Sequence, residues 1–117
     1  MTFPPDKVEI AKVAVDSAGR LLVQPLMPAG TDFAHIYRAA MEVSWDASSK
    51  HLVAPVPREW SRADWFKQIV RAVRSEYGTR LYLGPATQWA NVSSKDRAEI
   101  ERWSRDIDQM TSGMAGR

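Results

Sequence analysis

At 117 residues, with 44% hydrophobic residues and a formal charge of +2, the chain has the size and composition of one globular domain. It contains no cysteine, which excludes a disulfide framework, thiolate metal sites, iron–sulfur ligation and a cysteine nucleophile. A surplus of two basic residues is too small to mark a nucleic-acid-binding surface, and no apolar run approaches the ~20 residues of a membrane span.

The opening residues place Pro4, Pro5 and Asp6 where a secretion signal needs an apolar core, so a cytoplasmic protein is expected. Lys7 to Val15 is rich in β-branched residues (Val8, Ile10, Val13, Val15) and predicts a strand. Asp16 to Arg20 is turn chemistry, with Gly19 free to take positive φ, and Leu21 to Gln24 predicts the returning strand. Pro25, Pro28 and Gly30 then break the chain into a loop. From Ile36 to Trp45 the apolar positions Tyr37, Ala39, Met41, Val43 and Trp45 alternate with Arg38, Glu42 and Ser44. Ala39 to Glu42 are good helix formers, but period two over the whole stretch selects a strand. Asp46 to Lys50 predicts a second turn and His51 to Val56 its partner strand, which Pro55 and Pro57 push to an edge or end early.

The clearest element is a helix from Ser61 to Tyr77. Ser61 and Asp64 have capping-box spacing, and Trp60 and Trp65 have the spacing of a hydrophobic staple. Trp65, Phe66, Ile69, Val70, Val73 and Tyr77 form its apolar stripe, and Gly78 its left-handed stop. Arg80 to Gly84 predicts a short strand, extended by Thr87 to Trp89. A second helix is expected from Ser94 to Met110, entered by Ser93 and Asp96, with Ile100, Trp103, Ile107 and Met110 inward. Glu101 with Arg105, and Arg102 with Asp106, stand at ion-pair spacing on its solvated face. Residues 1–110 are thus expected to form a single α+β domain, with 111–117 a disordered tail. The order β-β-β-β-α-β-α predicts a mostly antiparallel sheet of about five strands with both helices on one face. The helix between the fourth and fifth strands allows one parallel pairing.

Few side chains assemble into chemistry. His35 and His51 are isolated, which argues against a metal site, and no glycine-rich loop precedes either helix, so no cofactor is expected. On the predicted strand Arg38 and Glu42 share a face, where Glu42 would serve as acid or base and Arg38 as anion clamp. The lack of a second acid nearby favours an ordinary solvated ion pair. Five tryptophans are the unusual feature. Helical stripes explain Trp65 and Trp103 as core. Trp60, flanked by Arg58 and Arg62, and Trp89, before the second helix, suit a partner interface or a flat ligand pocket. The staple competes for Trp60. Lys67, Arg71 and Arg74 lie on one helix face, but Asp64 and Glu76 flank them as on a solvated surface.

The segments Ile36–Asp46 (IYRAAMEVSWD) and Val56–Val70 (VPREWSRADWFKQIV) resemble the small proteins encoded by mobile gene cassettes of bacterial integrons. The resemblance implies a compact α+β oligomer of bacterial cytoplasmic origin and assigns no catalytic residue. The function expected is a non-enzymatic binding or interaction module that self-associates through its sheet and the Arg58–Trp60 segment. The alternatives are a small-molecule pocket protein or modest enzyme using Glu42 and Arg38, and a nucleic-acid-binding domain.

Overall fold

The computed structural model of the chain describes residues 7–26, 33–40, 42–56 and 60–115. β1 (Lys7–Val15) and β2 (Leu21–Pro25) form an antiparallel hairpin. Its turn is held by the Asp16 carboxylate, which accepts from the Ala18 and Arg20 backbone N–H groups at 3.0 and 2.8 Å, while Gly19 takes φ 89°. β3 (Ser44–Asp46) and β4 (His51–Val53) repeat the device: the Asp46 carboxylate accepts from Ser48 N–H at 3.1 Å and Ser48 Oγ at 2.8 Å. α1 (Arg62–Tyr77) starts in the predicted capping box, Ser61 Oγ accepting from Asp64 N–H and Asp64 accepting from Ser61 N–H, both at 3.1 Å. It stops at Gly78 with φ 70°. β5 (Arg80–Ala90) and α2 (Ser94–Ala115) complete the chain, α2 continuing past the predicted end at Met110.

The five strands lie in the order β3-β4-β2-β1-β5. All pairs are antiparallel except β1 with β5. Because β4 and β5 consequently point the same way, a hairpin cannot join them, and α1 carries the connection across the sheet. Alternation puts Val8, Ile10, Val13 and Val15 of β1, Leu21 and Val23 of β2, Leu52 of β4 and Leu81 of β5 under the helices. Phe66, Ile69, Val70 and Val73 of α1 and Ile100 of α2 close that core from above. The sequence therefore gives the expected α+β class, strand count and element order.

One element differs. Residues 36–38 form a 3-10 turn, and β3 begins only at Ser44. Ile36, Ala40 and Val43 are the buried positions, spaced four and three, whereas Tyr37 is 51% exposed. The backbone follows that spacing, with Ala39 and Ala40 N–H donating to Ile36 O and Val43 N–H to Ala40 O. Ile36 outweighs Tyr37 as a buried group, and the alanines accept the tight turns; Met41 lies outside the described residues. The strand begun at His51 ends early, at Val53, as its prolines imply, with Ala54 N–H still donating to Leu21 O. Among the described residues no helix is long and apolar enough to cross a membrane.

Candidate functional site

β1 and β5 run in register from Lys7 opposite Arg80 to Ile10 opposite Leu83, then resume at Lys12 opposite Gln88. Ala11 alone therefore faces residues 84–87, and β5 bulges outward there. The Glu9 carboxylate accepts from Ala86 N–H at 3.0 Å, and Thr87 Oγ1 accepts from Gly84 N–H at 3.0 Å while donating to Ile10 O. Gly84 leaves room for the Glu9 carboxylate: a Cβ there would sit 2.2 Å from Glu9 Oε2. Bulges of this kind re-aim side chains and end pairing at a sheet edge. Pro85, which has no N–H to offer, is exposed at the crest.

The rotation of α2 is set by its contacts with α1 and the core. Ile100 is fully buried, Trp103 meets Phe66 edge-on with centroids 6.1 Å apart, and Lys67 Nζ reaches Glu99 Oε2 at 3.3 Å. Arg97, Glu101 and Arg105, one helical turn apart, consequently face the β5 bulge. A cleft of about 380 Å³ lies between, bounded by Leu83, Pro85, Thr87 and Trp89 on β5 and by those three residues with Ser104 on α2. The Arg97 guanidinium stands 4.9 Å from the Trp89 ring centroid, and its Nε lies 3.5 Å from Glu101 Oε2. Arg105 is exposed and has no ion pair among the described residues.

Residues 8–87, from β1 through the bulge, match the family described as Integron Cassette Protein Hfx_Cass5. The chain belongs to that family. A solved structure carrying the same description, from the mobile metagenome of the North West Arm sewage outfall, is 45% identical, covering 84% of this chain and 95% of its own, with a TM-score of 0.38. No curated protein matches. The family's description gives an origin in mobile gene cassettes and indicates no specific activity, so what this cassette protein does must be argued from its own surfaces.

A second concavity of the cassette protein, about 490 Å³, opens on the sheet face away from the helices, between the two hairpin turns. Its charged groups are engaged in holding those turns. The Arg20 backbone N–H, with the Arg20 guanidinium beside it, keeps the Asp16 carboxyl below the usual carboxylate value, and the Ser48 hydroxyl does the same for Asp46. Burial pushes His51 below its ordinary value, reinforced by the Lys12 ammonium and opposed by Asp46. Among the described residues no three histidines or carboxylates gather as metal ligands.

The structure disperses the residues singled out from sequence. Arg38 ends the 3-10 turn and Glu42 sits in the turn before β3, both exposed, so the shared strand face imagined for them does not exist. His35 N–H donates to Tyr77 Oη at 2.8 Å, which ties the Arg38 segment to the C-terminal end of α1. Trp60 lies before the N-terminus of that helix, about 24 Å away at 1.5 Å per residue. It packs on Trp65 with centroids 4.9 Å apart, as the staple spacing implied, and remains 45% exposed. Arg58 lies outside the described residues. Of the described members of the set, Trp89 alone lines the cleft. Arg97, Arg105, Ser104 and the Gly84–Thr87 bulge are cleft components that sequence reasoning missed. The one visible signal was the four-residue spacing of Glu101 and Arg105, read there as solvated charge; Arg97, four residues before Glu101, was not singled out.

Proposed function

We propose that this cassette protein is a non-enzymatic binding module that takes a small molecule in the cleft between β5 and α2. The observation that supports this reading is the Trp89 ring, half-buried at the cleft and held under the Arg97 guanidinium 4.9 Å away. A flat aromatic wall beside a few fixed polar groups is how small-ligand sites obtain both contact area and orientation. Among the described residues one carboxylate lines the cleft, Glu101, and it is engaged with Arg97, so these residues offer recognition groups and no paired acid and base. Titration of the ¹⁵N-labelled protein with planar single-ring fragments tests it. Shifts should cluster on the Trp89 indole N–H and on the amides of residues 83–89 and 97–105, and vanish in Trp89→Ala. Shifts confined to other surfaces would remove the cleft from consideration.

Self-association is a second reading, supported by a different observation. Val56 and Trp60 are 49% and 45% exposed at the end of the molecule where Arg62 donates to Gly19 O, an apolar surface beside a guanidinium. Sedimentation at micromolar concentration should then show a dimer or larger species that Trp60→Ser dissociates, and a strictly monomeric wild type would end the idea.

A further inference from the structure

We infer that the occupant of the β5–α2 cleft is an organic carboxylate with a flat apolar body, its carboxylate on Arg105 and its body against Trp89 and Leu83. The inference rests on the cleft reading above and adds the ligand class. Among the described residues two guanidinium groups and one carboxylate line the cleft, a surplus of one positive charge. That charge has a definite location. Arg97 is satisfied twice, by Glu101 at 3.5 Å and by the Trp89 ring at 4.9 Å, whereas Arg105, about two turns further along α2, is unpaired among the described residues. A guanidinium presents parallel N–H donors that match both oxygens of a carboxylate. Facing it across the cleft, Leu83, Pro85 and Trp89 offer apolar surface with no charge to satisfy. The polar and apolar requirements thus fall on opposite walls, as an amphiphilic acid needs.

Size and charge exclude the neighbouring classes. A cleft of about 380 Å³ is near the lower end of ligand sites, room for one ring and a short acid arm. A metal cation would compete with Arg97 for Glu101, the one anionic group among the described lining residues. A nucleic-acid strand needs a row of cations to displace its counterions, and one surplus charge does not supply it.

The test uses the full chain, ¹⁵N-labelled, with 3-phenylpropionate as probe and 3-phenylpropionamide and acetate as controls. The acid should give saturable shifts at the Trp89 indole N–H and the amides of Ser104 and Arg105 at millimolar concentration. The uncharged amide should bind about tenfold more weakly, the weight of a charge-assisted hydrogen bond. Arg105→Gln, an exposed substitution that leaves the core untouched, should bind acid and amide alike. Equal binding of acid and amide by the wild type would overturn the carboxylate while leaving the cleft reading intact. Equal shifts from acetate would reduce the site to an anion patch and overturn the apolar half. No response of cleft resonances to 3-phenylpropionate would overturn the inference outright, and the fragment titration then decides the cleft reading by itself.

Discussion

Gly84→Ala probes the β5 bulge, and its effect should change sign with the residue at position 9. The new Cβ would lie 2.2 Å from Glu9 Oε2 and 2.9 Å from Glu9 Cγ, so the Glu9 side chain must leave. That side chain is flexible, and Gly84 does not take a positive φ, so little strain remains once it has moved. What is lost is the 3.0 Å bond from Ala86 N–H to the carboxylate. A hydrogen bond to a charged group contributes about 1.5–3 kcal/mol when shielded, but Ala86 is exposed and water replaces part of it, leaving about 1 kcal/mol. Against this, Gly→Ala stabilises by about 0.5 kcal/mol through the unfolded chain. The net is a destabilisation of about 0.5 kcal/mol, or a Tm lower by about 2 °C. In a Glu9→Ala background neither clash nor bond exists, so Gly84→Ala should raise stability by about 0.5 kcal/mol, a coupling of about 1 kcal/mol. Urea titrations of the four proteins, with the exchange rate of the Ala86 amide, measure it. The same sign in both backgrounds would refute the claim that Glu9 occupies the space over Gly84.

Three further perturbations test the parts that position the cleft. Ser61→Ala should cost about 1 kcal/mol by releasing the α1 cap, and Asp64→Ala added to it should cost less than it does alone, as denaturant titration would show. Ile100→Ala should destabilise by about 2–5 kcal/mol, and the amides of residues 94–107 should exchange faster than those of α1, because Ile100 is the fully buried anchor of α2. Asp16 and Asp46 titrate lower in the folded chain than the ordinary value of 3.8, so their contribution is complete above that value and is lost as pH falls through the folded values. Melting curves in acid should therefore fall more steeply for the wild type than for the Asp16→Asn/Asp46→Asn protein; parallel slopes would show that neither turn depends on the charge.

What sequence disclosed and what it hid divide by range. The capping box, the Trp60–Trp65 staple and the Asp16 and Asp46 turns each join residues two to five apart, and the residue types alone specify them. The segment from Ile36 to Trp45 failed because two periodicities overlap in it. The core takes Ile36, Ala40 and Val43 into one cluster with Phe33, whose ring meets Trp45 at 5.5 Å and Tyr77 at 4.9 Å, the latter far along the chain. The bulge was hidden for the same reason: Glu9 and Ala86 are 77 residues apart, and nothing near either one announces the other.

The charge ladder on α2 shows the same limit with magnitudes attached. Glu101 has an arginine four residues away on each side, and each i,i+4 pair is worth only about 0.2–0.5 kcal/mol. By itself the helix favours the pairing with the acid toward the N-terminus, which is Glu101 with Arg105. The structure pairs Glu101 with Arg97 instead. The tie is broken by Trp89, because a guanidinium over a tryptophan face gains about 0.5–1 kcal/mol at an exposed site and more when desolvated. That exceeds the orientation preference and draws Arg97 inward, where Glu101 follows it. Among the described residues Arg105 is left without an ion pair by a ring on a different element, so the surplus charge there belongs to the tertiary structure and could not be assigned from helical spacing.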